Sequence, residues 1–139
     1  MFTKTMIELR IPLKAMGAVR MTQRGKFVNK QAIKYLNYKS AIRISAQSQY
    51  KGELIDEPIE VECRFYFAPP KSYTKTKLKQ ITSKQMLYTK KPDVDNLFKG
   101  VTDALNGVIY NDDSQIVKAT MYKEYSDEDR IVVEIREVI

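Results

Sequence analysis

The sequence predicts an α+β domain in which helices pack on one face of a mixed β-sheet, and three observations predict it. Between positions 59 and 67, Ile59, Val61, Cys63, Phe65 and Phe67 alternate with Glu60, Glu62, Arg64 and Tyr66, the period of a half-buried strand. Between 32 and 46, Ala32, Tyr35, Tyr38, Ile42 and Ala46 return at steps of three and four, the stripe of an amphipathic helix. Such segments follow one another in the order β, α, β, α, β, β, which suits a mixed sheet. The 139 residues suit a single domain spanning 1–139.

The elements follow in order. Residues 5–11 read as a first strand, ended by Pro12, and 17–29 as a basic hairpin or loop in which Arg20, Arg24 and Lys26 surround Gly25. A helix is expected over 30–49, ended by Gly52, and then the alternating strand, stopped by Pro69-Pro70. Residues 71–91 form a lysine-rich excursion with a short helix over 75–83, read either as a mobile surface loop or as a flap that contacts DNA. The next helix, 95–106, buries Leu97, Phe98, Val101, Ala104 and Leu105; Gly107 closes it, because glycine tolerates the left-handed conformation at a helix end. Two strands, 115–125 and 130–138, are joined by the acidic turn Ser126-Asp127-Glu128-Asp129.

Composition excludes several classes. There is no histidine, so Cys/His zinc sites and His-based nucleophilic catalysis are out. A lone Cys63 has no disulfide partner. No apolar run reaches the roughly 18 residues of a membrane span, and no signal peptide is legible, so a cytoplasmic location is expected. No glycine-rich loop ends in Gly-Lys-Ser/Thr, so no nucleotide cofactor is expected.

Charge is more specific. The net charge is +7, but residues 1–92 hold 19 Lys and Arg against 6 acids, whereas 93–139 hold 5 against 11. No acid interrupts Leu9 to Gly52 or Lys71 to Lys91. Long stretches of one sign make a field that attracts polyanions, which points to nucleic acid.

The acidic half opens with Lys91-Pro92-Asp93-Val94-Asp95-Asn96-Leu97-Phe98-Lys99, followed by Asp103-Ala104-Leu105-Asn106-Gly107 and Asp112-Asp113-Ser114-Gln115. Pro92 biases Lys91 toward an extended conformation. If that persists, Asp93 and Asp95 point to one side, about 6–7 Å apart. Hard oxygen donors grouped in this way suit Mg²⁺, which keeps positions for water and phosphate. Lys99, one helical turn after Asp95, can hold a phosphate or stabilise developing charge. Asp112-Asp113 can complete the cluster when the chain returns. Plainer readings exist: Asp93 or Asp95 as a helix cap, Asp112-Asp113 as a turn, and Asp95–Lys99 and Lys99–Asp103 as surface ion pairs. Together these would require five acids to gather by chance in a basic chain. The spacing fits no EF-hand.

This long, irregular run resembles the RusA family of Holliday junction resolvases, and the likeness extends over most of the chain. The resemblance implies a crossover junction endodeoxyribonuclease: a homodimer that binds branched DNA and makes paired, symmetric cuts in four-way junctions during recombination and repair. It implies Mg²⁺ dependence, with Mn²⁺ as a substitute. It places essential carboxylates at Asp93, Asp95 and Asp113 and the important lysine at Lys99. Asp112 stands beside the third carboxylate as a further candidate ligand, and Asp103 is assigned a structural role. Arg20, Arg24, Lys26, Lys91 and Lys99 are the expected DNA contacts, and a prophage origin is plausible for such a protein. Two rivals stand beside this reading: a non-catalytic nucleic-acid-binding module, and a metal nuclease acting on other branched DNA.

Overall fold

A computed structural model describes residues 6–20 and 29–138. Its elements are β1 (Met6–Ile11), α1 (Lys30–Gln49), β2 (Ile59–Phe67), α2 (Lys75–Thr82), α3 (Val94–Leu105), β3 (Ile116–Tyr125) and β4 (Arg130–Glu137), with a 3-10 turn over Asp113–Gln115. The four strands form one sheet in the order β1-β4-β2-β3. β4 runs antiparallel to both neighbours, and β2 and β3 are parallel. The expected mixed α+β architecture is therefore present.

The alternation read in residues 59–67 sets the faces of the sheet. Ile59, Val61, Cys63, Phe65 and Phe67 are buried, as are Ile131, Val133 and Ile135 of β4 and Ile7, Leu9 and Ile11 of β1. Helix α1 lays its whole expected stripe, Ala32, Tyr35, Tyr38, Ile42 and Ala46, into the same core. Burial at this scale is the main favourable term in folding, about 25 cal/mol per Å² of apolar surface. Asn29 starts α1, its side-chain oxygen accepting the N–H groups of Gln31 and Ala32. Gly52 does not end it, contrary to expectation. Tyr50 does, in an extended conformation with its N–H bonded to the carbonyl of Ala46.

Helix α3 buries Leu97, Gly100, Val101, Thr102, Ala104 and Leu105, but Phe98 is only half-buried, at the edge of the stripe. Gly107 stops the chain with φ 73°, the left-handed turn expected there. The acidic turn 126–129 has an unexpected task. It carries the chain from β3 past the end of β2 to β4, tied by Ser126 N–H to the Phe67 carbonyl and by Asp129 to the N–H of Ala68. The last two strands are thus separated by β2. No helix among the described residues is long and apolar enough to cross a membrane.

Candidate active site

The site surrounds the N-terminus of α3. Asp93 occupies the N-cap position with extended backbone angles (φ −63°, ψ 149°), yet its side chain makes no cap hydrogen bond. A capping carboxylate would spend itself on the first helical N–H groups. The plain capping reading of Asp93 therefore fails. The extended conformation expected through Asp95 also stops early, because Val94 already begins the helix and Asp95 sits in its first turn. The two carboxylates nonetheless line one opening, together with Lys91, Pro92 and Asn96.

A second opening adjoins the first through Asn96 and is lined by Arg20, Tyr35, Asn96, Lys99 and Asp103. Lys99 comes round one turn after Asp95, as helical spacing requires. Neither Asp95–Lys99 nor Lys99–Asp103 closes to ion-pair distance among the described residues, so the surface-pair readings fail as well.

Residues 14–20 form a strap across the helix start. Ala18 N–H donates to the Asn96 carbonyl at 3.3 Å. A Cβ on Gly17 would lie 2.7 Å from Asn96 Nδ2 and 3.1 Å from Pro92, so any larger residue here would push on the Asn96 amide or the strap. The strap brings Arg20 to the site. Arg24 and Lys26, the other expected DNA contacts of this region, lie outside the described residues.

Asp112 and Asp113, read from sequence as a turn before a strand or as completing the carboxylate cluster, frame the 3-10 turn and divide in role. Asp112 forms a capping box: its side chain accepts the Ser114 N–H at 3.0 Å, while Gln115 Oε1 accepts the Asp112 N–H at 2.8 Å. The Ser114 hydrogen bonds hold its carboxyl below the usual carboxylate range. Asp113 turns toward Asp103 instead. Burial, then the charge of Asp113, push the Asp103 carboxyl above its ordinary range, opposed by Lys39 and Lys99. Asp103, read as structural from sequence, thus stands in the charged cluster. The same surroundings, burial first and then Asp103, raise the Tyr35 phenol to about 12.

The expected single cluster of Asp93, Asp95 and Asp113 is not drawn together: no three carboxylates stand within metal-ligating reach of one another among the described residues. They form two neighbourhoods, Asp93 with Asp95 and Asp103 with Asp113. The donors still fit a hard divalent cation, since oxygen ligands are what Mg²⁺ selects and the Asp93 carboxylate carries no cap bond.

Lys123 is a site residue that sequence reasoning missed. Its Nζ donates to the Lys90 carbonyl at 2.7 Å and to the Pro92 carbonyl at 3.1 Å, and it lies over the Tyr88 ring. It pins the segment that delivers Asp93. The sequence offered only its phase, Lys123 alternating with Ala119, Met121 and Tyr125; the structure adds its pairing with Phe65, which puts a cation on the face of the strand that otherwise meets the helices.

A curated relative and a family model both match most of this chain. A chain from Bacillus subtilis (strain 168), "Uncharacterized protein YqaN", is 38% identical over 124 residues, covering 88% of this chain and 85% of the relative. The family model "Endodeoxyribonuclease RusA" matches residues 12–136, which span the strap, both carboxylate neighbourhoods and, but for Glu137, every strand after the first. The chain belongs to the RusA endodeoxyribonuclease family.

Proposed function

We propose that this protein is a Mg²⁺-dependent, structure-selective endodeoxyribonuclease that resolves four-way junctions by paired cuts. The observation that carries the reading is the start of α3, where Asp93 leaves its own helix uncapped and shares an opening with Asp95 and Lys91. Family membership supports the same chemistry.

Asp93 and Asp95 in one neighbourhood and Asp113 in the other are the proposed metal ligands, which would have to close on the ion, with Asp112 engaged in its capping box. A bound Mg²⁺ supplies Lewis acidity toward water and the phosphate oxygens. The protein's own groups do the rest. Lys99 offers an ammonium to a phosphate oxygen beside the carboxylates, where a fixed donor stabilises charge that develops in the transition state. Arg20 offers a guanidinium from the strap, suited to two phosphate oxygens at once. Lys91 supplies a third positive charge at the rim of the first opening. Arg24 and Lys26 are proposed as further DNA contacts on their charge alone.

The test is incubation with labelled four-way junction, linear duplex and single strand, with and without Mg²⁺. Junction-selective products that require the metal are expected. Metal-dependent cutting of other branched DNA in preference to the junction would favour a different nuclease. Tight binding without product in Mg²⁺ or Mn²⁺ would favour a non-catalytic module, which the separation of the carboxylates into two neighbourhoods favours.

A further inference from the structure

We infer that the lysine-rich excursion between β2 and α3 is a second DNA-binding element, one that grips the phosphate backbone of a duplex arm beside the cutting site. This rests on the reading of the protein as a nuclease of branched DNA.

The excursion is an ordered arm. Thr74 caps α2, its side chain accepting the Lys77 N–H at 3.2 Å, yet none of the helix's residues is buried. Aromatic rings beside the helix fix the arm to the sheet. Tyr88 stacks on Phe67, with centroids 4.2 Å apart and planes at 9°, and meets Tyr125 edge-on at 5.0 Å. Tyr73 packs against Tyr125 from the other end of the arm. Lys77 and Lys90 then converge on the Tyr73 ring, at 4.8 and 5.1 Å. A helix in place without burying its own side chains is positioned to present them.

What it presents is positive charge. Ile81 turns toward the end of β3, where it lines a crevice with Lys123 and Tyr125. At 100° per residue, Lys75 and Lys79 fall on the opposite side of α2, one turn apart and both exposed. None of the seven lysines between 71 and 91 forms an ion pair among the described residues. The open face of the sheet behaves differently. There Arg64 pairs with Glu62 and Glu124, Lys118 with Glu60, and Arg136 with Glu134. One surface cancels its charge internally, and the other leaves it for a partner. The arm runs directly into Lys91, which lines the opening with Asp93 and Asp95, and Lys123 ties the junction of the two. A duplex held at this opening through its cation and Lys91 would meet the arm's lysines next along the chain.

The experiment measures affinity for a four-way junction and for linear duplex in EDTA across a KCl series. It compares wild type, the double variant Lys75→Gln/Lys79→Gln, and the control Lys118→Gln. Each lost phosphate contact removes about 0.9 from the slope of log affinity against log salt. The double variant is expected to bind more weakly, with a slope shallower by about 2, while the control keeps the wild-type slope. A double variant with the wild-type slope overturns the proposal, as does an equal change in the control. Failure of wild type to cut any branched DNA would overturn the functional reading alone, because the slopes on duplex still report on the arm.

Discussion

Asp103 on α3 and Asp113 in the turn before β3 face each other as a carboxyl pair, while Asp112 next door is held by Ser114 and Gln115. Adjacent acids thus have separate tasks, and substitution should separate them. Asp113→Asn is expected to lower junction cleavage with folding intact, by more than the about 10–100-fold that losing an outer-shell partner of a metal ligand costs. Asp112→Ala should lose its cap, lower the melting temperature modestly and keep most of the activity. Equal rates for Asp113→Asn and wild type would remove Asp113 from the site.

Burial of Asp103, together with the charge of Asp113 beside it, also sets a pH dependence. A carboxyl whose folded-state pKa is raised holds its proton longer in the folded than in the unfolded chain, so it weakens the fold as pH rises from the ordinary carboxylate range through the raised value. In EDTA, Asp103→Asn should melt higher than wild type at neutral pH, and the difference should vanish as pH falls below about 4. Melting curves over that range check it. An Asn variant less stable than wild type at neutral pH would show that the ionised carboxylate is welcome there.

Lys123 reaches the site only through backbone carbonyls, so its loss should disturb geometry before chemistry. Lys123→Met removes both bonds to Lys90 and Pro92. A cost of about 1 kcal/mol in stability is expected, typical of a charge-assisted hydrogen bond partly open to water. Cleavage should also need a higher Mg²⁺ concentration for half-maximal rate, with Lys123→Arg partly restoring it. A merely structural lysine would lower stability and leave the Mg²⁺ dependence unmoved.

Periodicity made most of this fold legible. The α1 stripe and the 59–67 alternation depend only on which residues must leave water, and each matches the structure residue for residue. Strand order was beyond reach, because the 126–129 turn reads the same whether it closes a hairpin or steps past a neighbour. The identity of the site residues was written in an irregular motif, but their grouping was not. Asp103 meets Asp113 only because the turn after Gly107 folds back on α3. Lys123 comes beside Pro92 only because β3 pairs with β2.

The strap offers a test of how closely the β1–α1 connection must lie on the site. Gly17→Ala would place a methyl 2.7 Å from Asn96 Nδ2, so either the Asn96 amide or the strap must move. Because Asn96 borders both openings, the expected result is weaker junction binding through a displaced Arg20. The melting temperature should change less than the affinity, since Ala15, Met16, Ala18 and Val19 still hold the strap to the core and the clash falls on the end of the Asn96 side chain. Wild-type affinity in this variant would show that the strap does not position Arg20 for DNA.

Assembly is the last prediction. Resolving a four-way junction needs two cuts in strands related by the two-fold axis of the DNA, and one chain carries a single Asp93/Asp95 opening. A two-fold homodimer presents two such openings to the symmetric substrate at once, and two-fold dimers are the commonest closed assembly. Mixing wild-type subunits with Asp95→Asn subunits on a supercoiled plasmid with an extruded cruciform tests this. Mixed dimers should nick one strand and release open circles, whereas wild-type dimers should give linear product from paired cuts within one binding event. The open-circle fraction should rise with the share of mixed dimers, greatest near equal input of the two subunits. A monomer on junction DNA in sedimentation, together with paired cutting in a single encounter, would rule the dimer out.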